Sequence, residues 1–87
     1  MQRDSLDRVL TELTTWYRDV LTVQLDANTD LINADVASEV YDAAHQSSPG
    51  RTADKLEAII ACRRALMGSV APQSAFESLL ISLAELA

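Results

Sequence analysis

An 87-residue chain of 9.5 kDa has room for one domain, and a domain this small buries only about 60–65% of the surface its unfolded form exposes. With 48% apolar and 23% charged residues it belongs among folded globules, and two Gly and two Pro are too few turn formers for a many-stranded sheet. A net charge of −6 repels phosphate backbones and anionic lipid, which removes nucleic acid and membrane surfaces as direct partners of the whole molecule. The first element in chain order is an amphipathic helix from Ser5. Leu6, Val9, Leu10, Leu13, Trp16, Tyr17, Val20 and Leu21 follow the i, i+3, i+4, i+7 rhythm. Asp7, Arg8, Thr11, Glu12, Thr15, Arg18, Asp19 and Thr22 fill the other side. The threonines cost tenths of a kcal/mol each in propensity, less than burial of the stripe returns.

At its start stands Asp4-Ser5-Leu6-Asp7, the letters that carry the prosthetic group in acyl carrier proteins. That fold needs a long helix and loop before the serine, and only four residues precede it here. Ser5 or Asp4 is therefore expected to cap the helix, with Asp7 near the positive end of its dipole.

Asp26 to Asn33 (DANTDLIN) is turn chemistry, and Asn33 is the expected N-cap of a short second helix, with Ile32 as its hydrophobic staple. In that helix Val36, Ala37, Val40, Tyr41, Ala43 and Ala44 share one face, opposite Asp35, Ser38, Glu39, Asp42 and His45. Gln46 to Thr52 (QSSPGRT) breaks the pattern. Either Ser48 caps a helix with Pro49 in its first position, or Thr52 caps one beginning at Ala53; the second is preferred for the regular helix. This third helix, roughly 53–67, is expected to bury Leu56, Ile59, Ile60, Cys62, Leu66 and Met67 and to stop at Gly68. Arg63 falls in the middle of that apolar arc. It must be paired or capping there, and Glu77 is the candidate partner.

Pro72 opens a fourth helix to about Leu86, with Ala75, Phe76, Leu79, Leu80, Leu83 and Leu86 on its core face. Ile81 points instead into the polar face of Ser74, Glu77, Ser78, Ser82 and Glu85. An outward Ile flanked by small serines suits close helix contact with another chain, so Ser78, Ile81 and Ser82 are the candidate interface. The fold class expected is all-α, a small four-helix bundle.

Chemistry-bearing patterns are sparse. A phosphate-binding loop needs G-x-x-x-x-G-K, whereas Gly50, Gly68 and Lys55 are the only residues of their kinds, so neither ATP nor another cofactor is expected. One Cys and one His make no soft-ligand metal site. Cys62 reads as a small core residue with no disulfide partner, which fits a reducing compartment, and His45 as a group at a helix C-terminus. The exposed acid pairs Asp35 with Glu39 and Asp54 with Glu57 lack the environment that acid–base catalysis requires. Arg51, Lys55, Arg63 and Arg64 form the only basic concentration, interleaved with acids that pair along the helix. No catalytic residue, metal or cofactor site is assigned. No apolar run reaches membrane-spanning length and no signal peptide is visible, so a soluble, cytoplasmic location is expected.

Two segments, Trp16 to Leu25 (WYRDVLTVQL) with LINADV downstream, and Leu56 to Leu80 (LEAIIACRRALMGSVAPQSAFESLL), carry a resemblance. Together they resemble the C-terminal helical domain of the delta-prime subunit of the bacterial DNA polymerase III clamp loader. Trp16, Arg18, Asp19, Asn33, Asp35, Arg63, Leu66, Val70, Pro72 and Glu77 stand at places typical of that family. Ser69 and Ala71 depart from it, replacing two asparagines before Pro72, and Ala71 is a poor N-cap. The resemblance implies that residues 1–87 are one collar domain of a longer subunit whose AAA+ modules lie outside this sequence, with Met1 an added start. It implies packing against gamma/tau and delta subunits, no small-molecule ligand, no direct nucleic acid contact, and a supporting role in ATP-dependent sliding-clamp loading. The related gamma/tau subunits carry a similar domain. The alternative is a stand-alone helical adaptor or antitoxin-like module, which would be encoded by a short gene.

Overall fold

The computed structural model describes residues 2–87; Met1, and the expectation attached to it, lie outside the described residues. The described residues form four α-helices, α1 (Arg3–Gln24), α2 (Ala37–His45), α3 (Pro49–Met67) and α4 (Pro72–Glu85), with a 3-10 turn at Ala34–Val36 before α2. No strand occurs among the described residues, as the scarcity of turn formers implied. At 1.5 Å per residue, α1 is about 33 Å long and runs along most of the 40 Å long axis.

Its apolar stripe is divided between two cores. Leu6 and Leu10, in the N-terminal half, meet Ile59 and Cys62 of α3 and Ala75 and Leu79 of α4. Val20, in the C-terminal half, meets Val40 and Ala44 of α2, with Trp16, Val23 and Leu31 packed around them. Apart from its own 3-10 lead-in, α2 packs on α1 alone, whereas α3 is held between α1 and α4.

The helix starts differ from the sequence expectation. The α1 N-cap is Gln2, which makes no side-chain bond, and Ser5 lies inside the first turn rather than capping it. A tertiary contact secures that turn: the Arg3 guanidinium donates to the carbonyl of Leu66 at the C-terminal end of α3. Asn33 does not cap α2 either, because its amide is engaged elsewhere. For α3 the Ser48 option holds: its hydroxyl accepts from the Arg51 amide at 3.2 Å, with Pro49 in the first turn. Thr52, the preferred cap, is instead 1% exposed and part of the α3 interior. A Ser-Pro start satisfies an orphan amide and wastes no donor, which extends α3 by a turn.

The end of α1 is a Schellman turn. Asp26 occupies the left-handed region at φ 52, its amide bonds to Val23 and that of Ala27 reaches back to Thr22. Aspartate tolerates this conformation, but glycine carries no Cβ penalty there. Asp26→Gly is therefore expected to stabilise the domain by about 1 kcal/mol, read as a higher midpoint in urea; a lower midpoint would contradict the capping role. Gly68 does stop α3, with an extended rather than left-handed backbone. Ala71 gives α4 no side-chain cap.

Burial also departs from the simple arcs. On α3, Ile60 and Met67 are exposed, Met67 at 87%, while Leu56 and Leu66 are half-buried. Leu80 on α4 and Tyr41 on α2 are likewise largely in solvent. Only Thr52, Ile59 and Cys62 of α3 are fully buried, with Ala58 and Ala65 half-buried beside them, because two helices press on it from different sides.

Candidate interaction surface

The residues singled out on α3 and α4 lie on two different contacts. Ser78 and Ser82 line a groove of about 240 Å³ between α3 and α4, opposite Ala58, Ala61 and Ala65, with Cys62, Ala75 and Leu79 among its lining. Small side chains on both walls leave the two backbones accessible to a third element. Ile81, the next residue but two along the helix from Ser78, is outside the groove and 61% exposed. Cys62 at its base is an interior group: its thiol donates to the carbonyl of Ala75 at 3.6 Å. Burial pushes that thiol up and the neighbouring Arg63 charge only partly opposes it, so it stays protonated at neutral pH.

Arg63 does not pair with Glu77. It reaches across to α1, where one guanidinium nitrogen lies 2.5 Å from the Asp7 carboxylate and the other donates to the Thr11 hydroxyl at 3.1 Å. Glu77, on α4, accepts instead from Gln73 one turn earlier at 3.2 Å. The helical arc of α3 is shared between two neighbours, so the middle of the arc by periodicity is its α1-facing edge in space. The Arg63 side chain is 36% exposed and that of Asp7 65%, which makes this a surface bridge and removes the expectation of a costly buried charge. Arg63→Ala should accordingly lower stability by no more than about 1 kcal/mol, seen as a small fall in melting temperature that added salt diminishes. A loss several times larger would restore the buried-pair account.

The one charged side chain buried among the described residues lies, by periodicity, on the solvent face of α1. Asp19 is 2% exposed. Its two oxygens accept from the Ile32 amide at 2.8 Å, the Asn33 amide at 2.7 Å and the Asn33 side chain at 2.7 Å. Burial acts to raise its pKa, but the two backbone amides, the Asn33 carboxamide and the Arg18 charge together outweigh it, and the carboxyl is held below its ordinary value of 3.8. The carboxylate thus pins the 25–36 connection onto the second core. Asp19 of the WYRDVLTVQL segment and Asn33 of LINADV are partners in space, and their places in those two segments are the sequence signal for the contact. Trp16 packs on the same core, half-buried. Lys55 lies over the Tyr17 ring at 5.5 Å, which ties α3 to α1. The His45 ring nitrogen Nδ1 is 2.7 Å from the Tyr41 carbonyl, a local contact within α2.

Among the described residues no helix is long and apolar enough to cross a membrane. What the geometry defines is an all-helical packing domain, with a small-residue groove and large apolar side chains left in solvent. Residues 1–85 match the family described as DNA polymerase III, delta subunit, C terminal, and the chain belongs to that family. It is the C-terminal domain of a clamp-loader subunit. No curated protein and no solved structure matches it.

Proposed function

We propose that this domain is the collar of a delta-prime subunit, holding that subunit in the clamp loader against gamma/tau and delta while other modules spend ATP to open the sliding clamp. The family match across residues 1–85 carries the clamp-loader part of the reading; that family is described by the delta subunit, and the delta-prime part rests on sequence segments instead. The WYRDVL and LINADV segments favour delta-prime within the clamp-loader group, and the domain works in the cytoplasm, where replication takes place. Its own contribution is positional and non-catalytic: a domain locked into its neighbours gives the ATPase modules a fixed base. The groove walled by Ser78 and Ser82, with Ile81 beside it, is the face offered to a neighbouring collar helix.

Reconstitution from purified subunits tests both parts. The full-length subunit should complete the assembly when delta-prime is withheld and fail to do so when delta is withheld; the reverse pattern would reassign it. Ile81→Asp in that subunit should weaken its co-elution with gamma/tau and delta while leaving the helical circular dichroism intact. Normal co-elution of a folded Ile81→Asp subunit would remove α4 from the interface.

A further inference from the structure

The charge of this molecule is segregated. Between positions 19 and 50 stand Asp19, Asp26, Asp30, Asp35, Glu39 and Asp42 with no Lys or Arg, while elsewhere the seven remaining acids are matched by seven Lys and Arg. The whole net charge of −6 therefore resides in this one segment. Asp19 is turned inward and satisfied, but the other five acids are exposed, and none forms an ion pair among the described residues.

The same segment exposes large apolar side chains. Leu25 is 60% exposed, Ile32 57% and Tyr41 50%. Tyr41 lines a shallow hollow of about 120 Å³ together with Leu31, Ala27 and Asp26. Because α2 packs on α1 and its own lead-in, its outer sides meet no other helix among the described residues. None of the hollow's residues belongs to the α3–α4 groove, so this surface is separate from that groove.

The geometry points to a second docking surface here, built by the 25–36 connection and α2, for a cationic amphipathic helix of another protein. Its apolar stripe would cover Tyr41 and the hollow beside it, and its Lys or Arg rim would meet Asp26 at the hollow's edge, within the field of the exposed acids Asp30, Asp35, Glu39 and Asp42. Charge complementarity selects this occupant. A second copy apposing the same patch would bring like charges together. The cations of α3 offer a second copy little else, since Asp54 and Glu57 are interleaved with them and Lys55 is engaged over Tyr17. Apolar side chains framed by one sign of charge would anchor such a helix, with the rim setting register and on-rate.

The test uses two synthetic amphipathic helices with the same leucine stripe, one rimmed with Lys and one with Glu, titrated into the isotope-labelled chain and followed by backbone amide NMR. The Lys-rimmed peptide is expected to shift amides within 25–45, to weaken as salt rises from about 50 to about 300 mM, and to lose about tenfold in affinity with Tyr41→Ser. The triple replacement Asp35→Asn, Glu39→Gln and Asp42→Asn should cost a similar factor, with circular dichroism confirming that each variant is folded. The inference is overturned if the Lys-rimmed peptide leaves these amides unmoved, if both peptides bind equally, or if the shifts fall on α3 and α4. It is equally overturned if amides 25–45 instead broaden with the concentration of the chain alone, which would assign the patch to a second copy.

Discussion

Replacing Asp19 with Ala is expected to destabilise the domain by about 3 kcal/mol and to lower its melting temperature by roughly 15 °C. The substitution removes one acceptor group and strands three donors: the Ile32 amide, the Asn33 amide and the Asn33 carboxamide. Each buried donor left without an acceptor costs about 1–3 kcal/mol, and their position at the edge of the loop, where water can reach part of the site, keeps the sum toward the low end. Asp19→Asn retains one carbonyl oxygen and should lose about half as much.

The same carboxylate sets an acid limb. Its folded value is depressed, so between that value and the ordinary 3.8 the unfolded chain binds more protons than the folded one. The stability it contributes is complete above the ordinary value and is lost as pH falls from there through the folded value. Thermal melts at a series of acidic pH values should therefore show a decline below about pH 4 that is shallower in Asp19→Asn. A melting temperature for Asp19→Ala within about 2 °C of the parent, or an unchanged acid limb in Asp19→Asn, would contradict the loop-pinning role.

Leu10→Ala is expected to be the most damaging single truncation, at about 3–5 kcal/mol. Leu10 is fully buried where α1 meets α3 and α4, and removing three heavy atoms there leaves a cavity that three packed helices cannot all close. Against the marginal stability of a small domain, about 5–10 kcal/mol, this brings the variant near its unfolding threshold at physiological temperature. Leu80→Ala provides the contrast. Periodicity placed Leu80 on the core face of α4, but it is 47% exposed, and its truncation should change stability by less than about 0.5 kcal/mol. Urea unfolding of the pair measures the difference directly. Equal losses would mean that Leu80 is packed in the core as Leu10 is, against its exposure.

The long elements were legible because their evidence is repeated. Eight apolar residues at helical spacing fix α1 whatever its caps do, and Pro72 with the leucines behind it fixes α4 in the same way. The starts of α1 and α2 were not legible, since they depend on contacts distant in sequence. Arg3 holds the first turn of α1 through a carbonyl of α3, and Asn33 leaves its capping position for a carboxylate fourteen residues earlier. At the α3 start the local signal was present twice, in Ser48 and Thr52, and a hydroxyl buried by packing cannot be told from a capping hydroxyl by its letter.

Face assignments failed for one physical reason. A helical wheel supposes a single neighbour, whereas α3 has two and α2 has one that covers little of it. Hence Arg63 reaches α1, Glu77 turns to Gln73, and Ile60, Met67 and Tyr41 stay in solvent. Asp19 shows the converse error, an acid counted as solvating because its three partners lie on a loop that no periodicity describes.

The central claim is that these helices exist to join their subunit to others. Native mass spectrometry of the clamp loader, assembled once with the full-length subunit and once with that subunit lacking this domain, tests it most directly. The account predicts that the intact subunit is incorporated and that the shortened one is left out of the complex. Incorporation of the shortened subunit at the same stoichiometry would contradict it.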